Sequence, residues 1–546
     1  MEENVSGDSQ VDAASATPDY DVVVVGAGMG GIYAVHKFKQ EGLSVVGFEG
    51  APDVGGVWYH NRYPGARVDV ESFDYCFFFD PALYQEWKWT ERYPPQPEIL
   101  AYLGHVADRY DVRRHFSFNT WVSGAQWNPE NNWYEVTTDT GQSVTGRFLV
   151  MTTGQLSKAR KPNFPGLDDF EGEWVQTSHW PDRHVQLEGR KVGIIGTGSS
   201  GSQAITEIAK VADHLTVFQR TPNYAIPALN GPLDREKYDE LAARVPEVWE
   251  GLQKLGAAAN IPSFVGLSTD FTPEEQQAIL EDRWRNVGGQ SIVAIFLDQG
   301  ISDEANALVS NFARDEVRRI VKDPEVAEIL VPDAYPIGTR RLAVTSGYYE
   351  TFNRDNVTLV DLLADPIETI TATGIKTRDH EYDLDLIVFS LGFTAFTGSI
   401  DNANIRNEAG KQPSDNWKRG PKTYLGLTTR EFPNLFLVTG PGSPSVLANM
   451  IVDNVQHVDL VAGIIAYMSD HGYTRIEPSE AAQDAWGEHV QEVARPLIRY
   501  RTENYMVHVN KDDGSRVFMP YAGGYARYVE ECKRIIANDY EGFEFA

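Results

Sequence analysis

The chain has 546 residues, too many for one hydrophobic core, so two or three domains are expected. Its 78 Asp and Glu outnumber 48 Lys and Arg, and the net charge of −30 argues against nucleic acid or an anionic membrane as partner. Two distant cysteines, Cys76 and Cys532, give neither a disulfide framework nor a zinc site, and no C-x-x-C dithiol is present.

The first 18 residues are small, polar and acidic and read as a disordered tail with no secretory signal. No apolar run reaches the ~18 residues of a membrane span, so a cytoplasmic protein is expected. A β-type run, Val22 to Val25, then enters Gly26, Gly28 and Gly31. A helix from about Ile32 to Glu41 stops at Gly42, and a second strand, Val45 to Phe48, ends in Glu49. This is the order of a dinucleotide-binding turn. The first glycine permits the bend, the second lets backbone approach a pyrophosphate, and the third admits close helix–strand packing. The anion sits on free N–H groups at the helix N-terminus. A carboxylate at Glu49 accepts from ribose hydroxyls and repels a 2′-phosphate, so this loop suits FAD or NAD.

The device recurs. Val192 to Ile195 lead into Gly196, Gly198 and Gly201, with Thr197, Ser199 and Ser200 between them. Here the second strand, Leu215 to Phe218, ends in Gln219-Arg220-Thr221. A guanidinium at Arg220 offers a donor fork for phosphate oxygens, so this loop suits NADPH; the alternative is a solvated surface arginine. Two dinucleotides of different kind imply redox chemistry. Glycine turns of this sort also arise for structural reasons alone, and context decides between the readings.

From about 228 to 330 the pattern is helical. Thr272-Pro273-Glu274-Glu275 is a capping box, and a helix through Asp315 to Val321 is ended by Asp323-Pro324. Apolar runs ending in glycine recur at 148–154, 386–392 and 435–440, as strands meeting a ligand edge do. The expected fold is α/β, with two Rossmann-like dinucleotide-binding domains and a helical insertion. The FAD-binding domain takes 19–155 and 386–546, the NADPH-binding domain 156–227 and 331–385, and the insertion 228–330.

Two further stretches narrow the chemistry. Residues 55–69 read G-G-V-W-Y-H-N-R-Y-P-G-A-R-V-D, and residues 170–182 read F-E-G-E-W-V-Q-T-S-H-W-P-D. With the ordered glycine loops, these resemble the type I Baeyer–Villiger monooxygenases over nearly the whole chain. The first stretch matches the family pattern in full. In the second, Phe170, Gly172, Trp180 and Pro181 fit, but Gln176 stands where the family has histidine, and His179 is out of register. Related enzymes that oxidise nitrogen and sulfur carry tyrosine at the position of Trp180. The segment Pro336 to Leu342 resembles the one delivering the family's catalytic arginine, here Arg341 with Asp69 as its carboxylate partner; Arg340 replaces the usual lysine. Near the C-terminus the family's tryptophan becomes Tyr505, and most of its G-x-N-x-P-G-K run is lost.

The resemblance implies that NADPH reduces FAD and that O₂ then forms a C4a-peroxyflavin, which attacks a small ketone to give an ester or lactone. It assigns Gly56, Val57, Trp58, Arg67, Asp69, Tyr75, Val122 and Met450 to cofactor contact beside Gly26, Gly28, Gly31 and Glu49. Thr197 to Gly201, Gln219, Arg220, Arg340 and Arg341 belong to the same set. The alternatives are an N- or S-oxygenating flavoenzyme, an NADPH oxidase that releases H₂O₂, and a non-catalytic flavin-binding protein.

Overall fold

The computed structural model describes residues 17–262, 264–510 and 512–546; all but the last two residues of the expected tail lie outside them. The strand Tyr20–Val25 is a continuous valine run, buried as a parallel strand covered on both faces must be. It pairs in parallel with Val45–Phe48 and with Ser143–Met151. Outer strands complete an eight-stranded sheet, which Leu435–Leu437 joins through Met151. The helix Met29–Gln40 crosses over this sheet and ends as expected: Leu43 N–H reaches back to the Phe38 carbonyl, with Gly42 in the left-handed region.

The second sheet is wholly parallel, in the order Val357–Asp361, His214–Gln219, Lys191–Ile195, Leu386–Phe389, Glu173–Gln176. This corrects the expected boundary at 386. Leu386–Phe389 lies in register between Val192 and Glu173, so it belongs with the second glycine loop rather than the first.

The helical block divides between two cores. Tyr238, Ala242, Val245 and Leu252 pack into the core of the first sheet. Leu280, Trp284, Val309 and Phe312 form a separate cluster with Tyr93, Tyr224, Ile337 and Val344. The capping box is present: Thr272 Oγ1 accepts from Glu275 N–H, and the Glu275 carboxylate accepts from Thr272 N–H. Asp323 does more than follow a helix that ends at Ile320. It caps a further helix, Pro324–Leu330, by accepting from Glu325 and Val326 N–H.

Candidate functional site

Both glycine loops are closed to side chains where packing demands it. A Cβ on Gly26 would lie 2.9 Å from the Thr152 carbonyl oxygen, and one on Gly31 would lie 1.8 Å from that of Gly26. In the second loop a Cβ on Gly196 would lie 2.3 Å from the Ser390 carbonyl oxygen, and one on Gly201 would lie 2.1 Å from that of Gly196. Thr152 and Ser390 therefore occupy matching places, each just beyond a buried strand. The loops differ at their middle glycines. Gly28 faces Gly56, whose Cβ would come within 2.9 Å of the Gly28 Cα, so two bare backbones meet at the start of the helix Met29–Gln40. Gly198 has open space around it, ahead of the helix Ser199–Ile208. Each loop leaves first-turn N–H groups for an anion.

Glu49 is buried, and its carboxylate accepts from Ala27 N–H at 2.6 Å and Ala51 N–H at 2.8 Å. Burial raises its pKa, against those backbone donors. The side chain thus shapes the loop. Asn454, in the helix Met450–His471, reaches back to the Met450 carbonyl, and its Oδ1 lies 2.7 Å from where a Cβ on Gly30 would sit. This brings the start of that helix against the first loop.

The two sequence stretches that carried the resemblance touch each other. Trp180 N–H donates to the His60 carbonyl at 3.1 Å. His179 stacks on His60 with ring centroids 4.6 Å apart, and Arg62 pairs with Asp182. Burial, with the neighbouring His179 and Arg62, lowers His60 to about 4. Gln176 Nε2 donates to the Arg160 carbonyl at 3.0 Å, tying the segment that links the two sheets. Nearby, Tyr63 OH donates to Gln203 Oε1 at 2.8 Å, and Gln203 Nε2 donates to the Arg67 carbonyl at 3.1 Å.

At the centre, Asp69 and Arg341 meet in a bidentate pair, Nε to Oδ2 at 2.6 Å and the second nitrogen to Oδ1 at 2.7 Å. Arg341 also donates to the Val446 carbonyl at 3.0 Å, and Gln290 Nε2 donates to Asp69 Oδ2 at 3.2 Å. The carboxylate's charge raises the Arg341 pKa further, outweighing burial. Burial alone would raise Asp69, but the guanidinium overrides it and holds the carboxyl below its ordinary value. The Asp69 side chain is 18% exposed and that of Arg341 36%, because Arg341 faces a cavity of about 140 Å³. Gln290, Arg340, Val446, Arg499 and Tyr505 line the same cavity. Trp58 Nε1 donates to Tyr75 OH at 2.9 Å, and Tyr75 is close enough to feel both charges of the pair.

Other expected positions have different surroundings. Gln219 is 1% exposed and its Nε2 donates to the Ile329 carbonyl at 2.8 Å, which pins the helix Pro324–Leu330 over the strand end. Arg220 is exposed and has no ion-pair partner among the described residues. Arg67 is held by Glu91 at 2.5 Å and by the Tyr93 carbonyl at 2.6 Å. The side chain of Val122 is spent on core packing with Val25, Val46 and Phe48. Arg340 lies over the Tyr335 ring at 4.3 Å, and the Tyr335 hydroxyl donates to the Pro222 carbonyl, linking Arg340 to the segment after Arg220. Thr197 Oγ1 donates to the Thr221 carbonyl at 3.3 Å. Sequence reasoning missed Gln290, Arg499 and the Val446 carbonyl, none of which sits in a recognisable local pattern.

The sequence model of the flavin-binding monooxygenase-like family matches residues 19–230. A Baeyer–Villiger monooxygenase of Pseudooceanicola batsensis is 39% identical, covering 93% of this chain and 93% of that one. A phenazine N-monooxygenase of Lysobacter antibioticus is 37% identical over 96% of each chain. A solved structure of an oxidised steroid monooxygenase bound to NADP superposes with a TM-score of 0.92 at 45% identity, covering 97% of this chain and 99% of that one. The chain belongs to the Baeyer–Villiger branch of the flavin-binding monooxygenases.

Proposed function

We propose that this protein is an FAD- and NADPH-dependent monooxygenase that inserts one oxygen atom of O₂ beside the carbonyl of a small-molecule ketone. The balance is ketone, O₂, NADPH and a proton in; ester or lactone, NADP⁺ and water out. Arg341, on the cavity wall and gripped from behind by Asp69, carries the reading.

When bound, FAD and NADPH supply hydride transfer and the activation of O₂. The first sheet, with Gly26, Gly28, Gly31 and Glu49, would hold FAD. The second, with Thr197 to Gly201 and Arg220, would hold NADPH, with Arg340 as a further cation. Arg341 keeps a positive charge where negative charge develops on oxygen as it adds to the carbonyl. Its high pKa means that it stabilises that charge without giving up a proton. Preorganised charge of this kind contributes on the order of 10² to 10³ in rate. Asp69 aims the guanidinium at two points and balances its charge, and Gln290 braces the carboxylate from the helical block. The two buried free cysteines fit a reducing, cytoplasmic setting, and the acidic surface fits a small-molecule enzyme without nucleic-acid or membrane partners.

An aerobic screen with NADPH across cyclic, aryl and polycyclic ketones tests this: the expected product is an ester or lactone heavier by one oxygen. N-oxygenation is the second reading, favoured by the phenazine relative. Oxidation of an aromatic amine with no ester from any ketone would establish it. NADPH consumption matched by H₂O₂ would instead show an oxidase.

A further inference from the structure

Arg499 stands on the cavity wall with Arg341 but has a different environment. Its guanidinium makes one hydrogen bond, to the Gly338 carbonyl at 3.0 Å. The other donors of its fork find no protein acceptor, and no carboxylate pairs with it among the described residues. The cavity is therefore lined by the guanidinium groups of Arg340, Arg341 and Arg499, and among the described residues Asp69 is the only carboxylate paired with any of them. Burial lowers the Arg499 pKa, with Tyr505 acting against it and the positive charge of Arg341 acting with it. Most other arginines of this acidic chain are spent on acidic partners, as Arg285 is on Glu316 and Arg501 on Asp303. An unpaired, partly buried guanidinium is costly to keep, and an anion arriving with the ligand removes that cost.

We propose that Arg499 is a specificity-determining residue that binds an anionic group, a carboxylate or phosphate, carried by the ketone substrate. This rests on the monooxygenase reading above and narrows its substrate class. Tyr505, also on this wall, stands where the wider family carries tryptophan, and its hydroxyl adds a polar atom beside the two cations. The ketone would lie with its carbonyl toward Arg341 and its anion toward Arg499.

The competing explanation is that Arg499 only clamps its loop to the segment carrying Arg341. A pair of ketones differing only in charge separates the two: a cyclic keto acid and its methyl ester, with a keto phosphate as a third arm. Wild type is expected to favour the acid or the phosphate in kcat/KM, and the arm that wins identifies the anion. In Arg499→Gln the charged-to-neutral ratio of kcat/KM should fall roughly ten- to hundredfold, through KM rather than kcat. Arg499→Lys should recover most of that ratio. Should Arg499→Gln fail to fold, salt titration of wild type gives the same reading, because KM for the acid should rise with ionic strength faster than KM for the ester. An unchanged ratio in Arg499→Gln, or equal losses on both ketones, would overturn the proposal. So would an increase in KM for NADPH alone, which would assign the cation to the nucleotide. Ester formation from neutral ketones only would leave the monooxygenase reading standing and refute this one; no ester from any ketone would refute the reading beneath it.

Discussion

The carboxylate of Asp69 grips Arg341 at two points across 272 residues of sequence, and both hydrogen bonds are short, 2.6 and 2.7 Å. In the proposed function Arg341 supplies charge rather than a proton, so its removal should spare the steps that precede attack on the carbonyl. Arg341→Ala should bind FAD and bleach with NADPH yet form no ester. Asp69→Asn keeps the shape but loses the charge, and should lower ester formation about 10²- to 10³-fold. Stopped-flow flavin absorbance read beside product mass checks both, and normal lactone output from Arg341→Ala would remove that residue from the mechanism.

Arg220 is the exposed cation at the end of the second loop's second strand, whereas its neighbour Gln219 is occupied with Ile329. Arg220→Ala should raise KM for NADPH about ten- to hundredfold and leave KM for NADH nearly unchanged. Equal shifts for both nucleotides would mean that the 2′-phosphate is read elsewhere.

Gln176 meets the linker through one neutral hydrogen bond to the Arg160 carbonyl. A bond of that kind contributes about 1 kcal/mol, so its loss should loosen the linker without dismantling it. Gln176→Ala should release more H₂O₂ per NADPH, while Gln176→His, which retains a donor, should stay within about twofold of wild type. Peroxide-coupled colorimetry with ketone present measures the difference.

Acid should act through His457, which is buried at the centre of a polar chain. Its Nδ1 accepts from Thr439 N–H at 3.0 Å, so its Nε2 carries the proton toward Tyr528, whose hydroxyl donates to the Leu425 carbonyl. Burial lowers this imidazole to about 3. The unfolded chain takes up the proton near the ordinary value of ~6.5 while the folded chain refuses it. Stability from this group is therefore full above that value and is lost as pH falls toward 3. Burial raises the adjacent Asp453 to about 7, and between pH 6.5 and 4 this offsets most of the loss. His457→Gln should lower Tm at pH 7, and the deficit relative to wild type should shrink as pH falls from 6.5 to 4, as read by calorimetry.

Much of the fold was legible because buried parallel strands are apolar runs that end in glycine, and both nucleotide loops announced themselves in this way. The same uniformity hid the boundary at 386: Leu386-Ile-Val-Phe reads like any central strand, and only hydrogen bonding to Val192 and Glu173 shows which sheet it joins. Asp-Pro at 323 is equally ambiguous, since it serves a helix end and a helix start alike. The Asp69–Arg341 pair was legible only through its two surrounding motifs, because contacts at that separation leave no local period. Gln290 and Arg499 lie in short helical segments, Gly289–Val293 and Ile498–Arg501, and no pattern of spacing could have brought them to the cavity.

Gly65 has a further consequence. A Cβ there would strike the Gln203 carbonyl oxygen at 2.8 Å, so the turn that follows Tyr63 rests directly on the helix of the second loop. Together with the Tyr63–Gln203–Arg67 bonds, this contact ties the segment 55–69 to the helix Ser199–Ile208. That seam is braced at several points, whereas on the cavity wall Arg340 and Arg499 each hold their segment by a single bond to a main-chain oxygen.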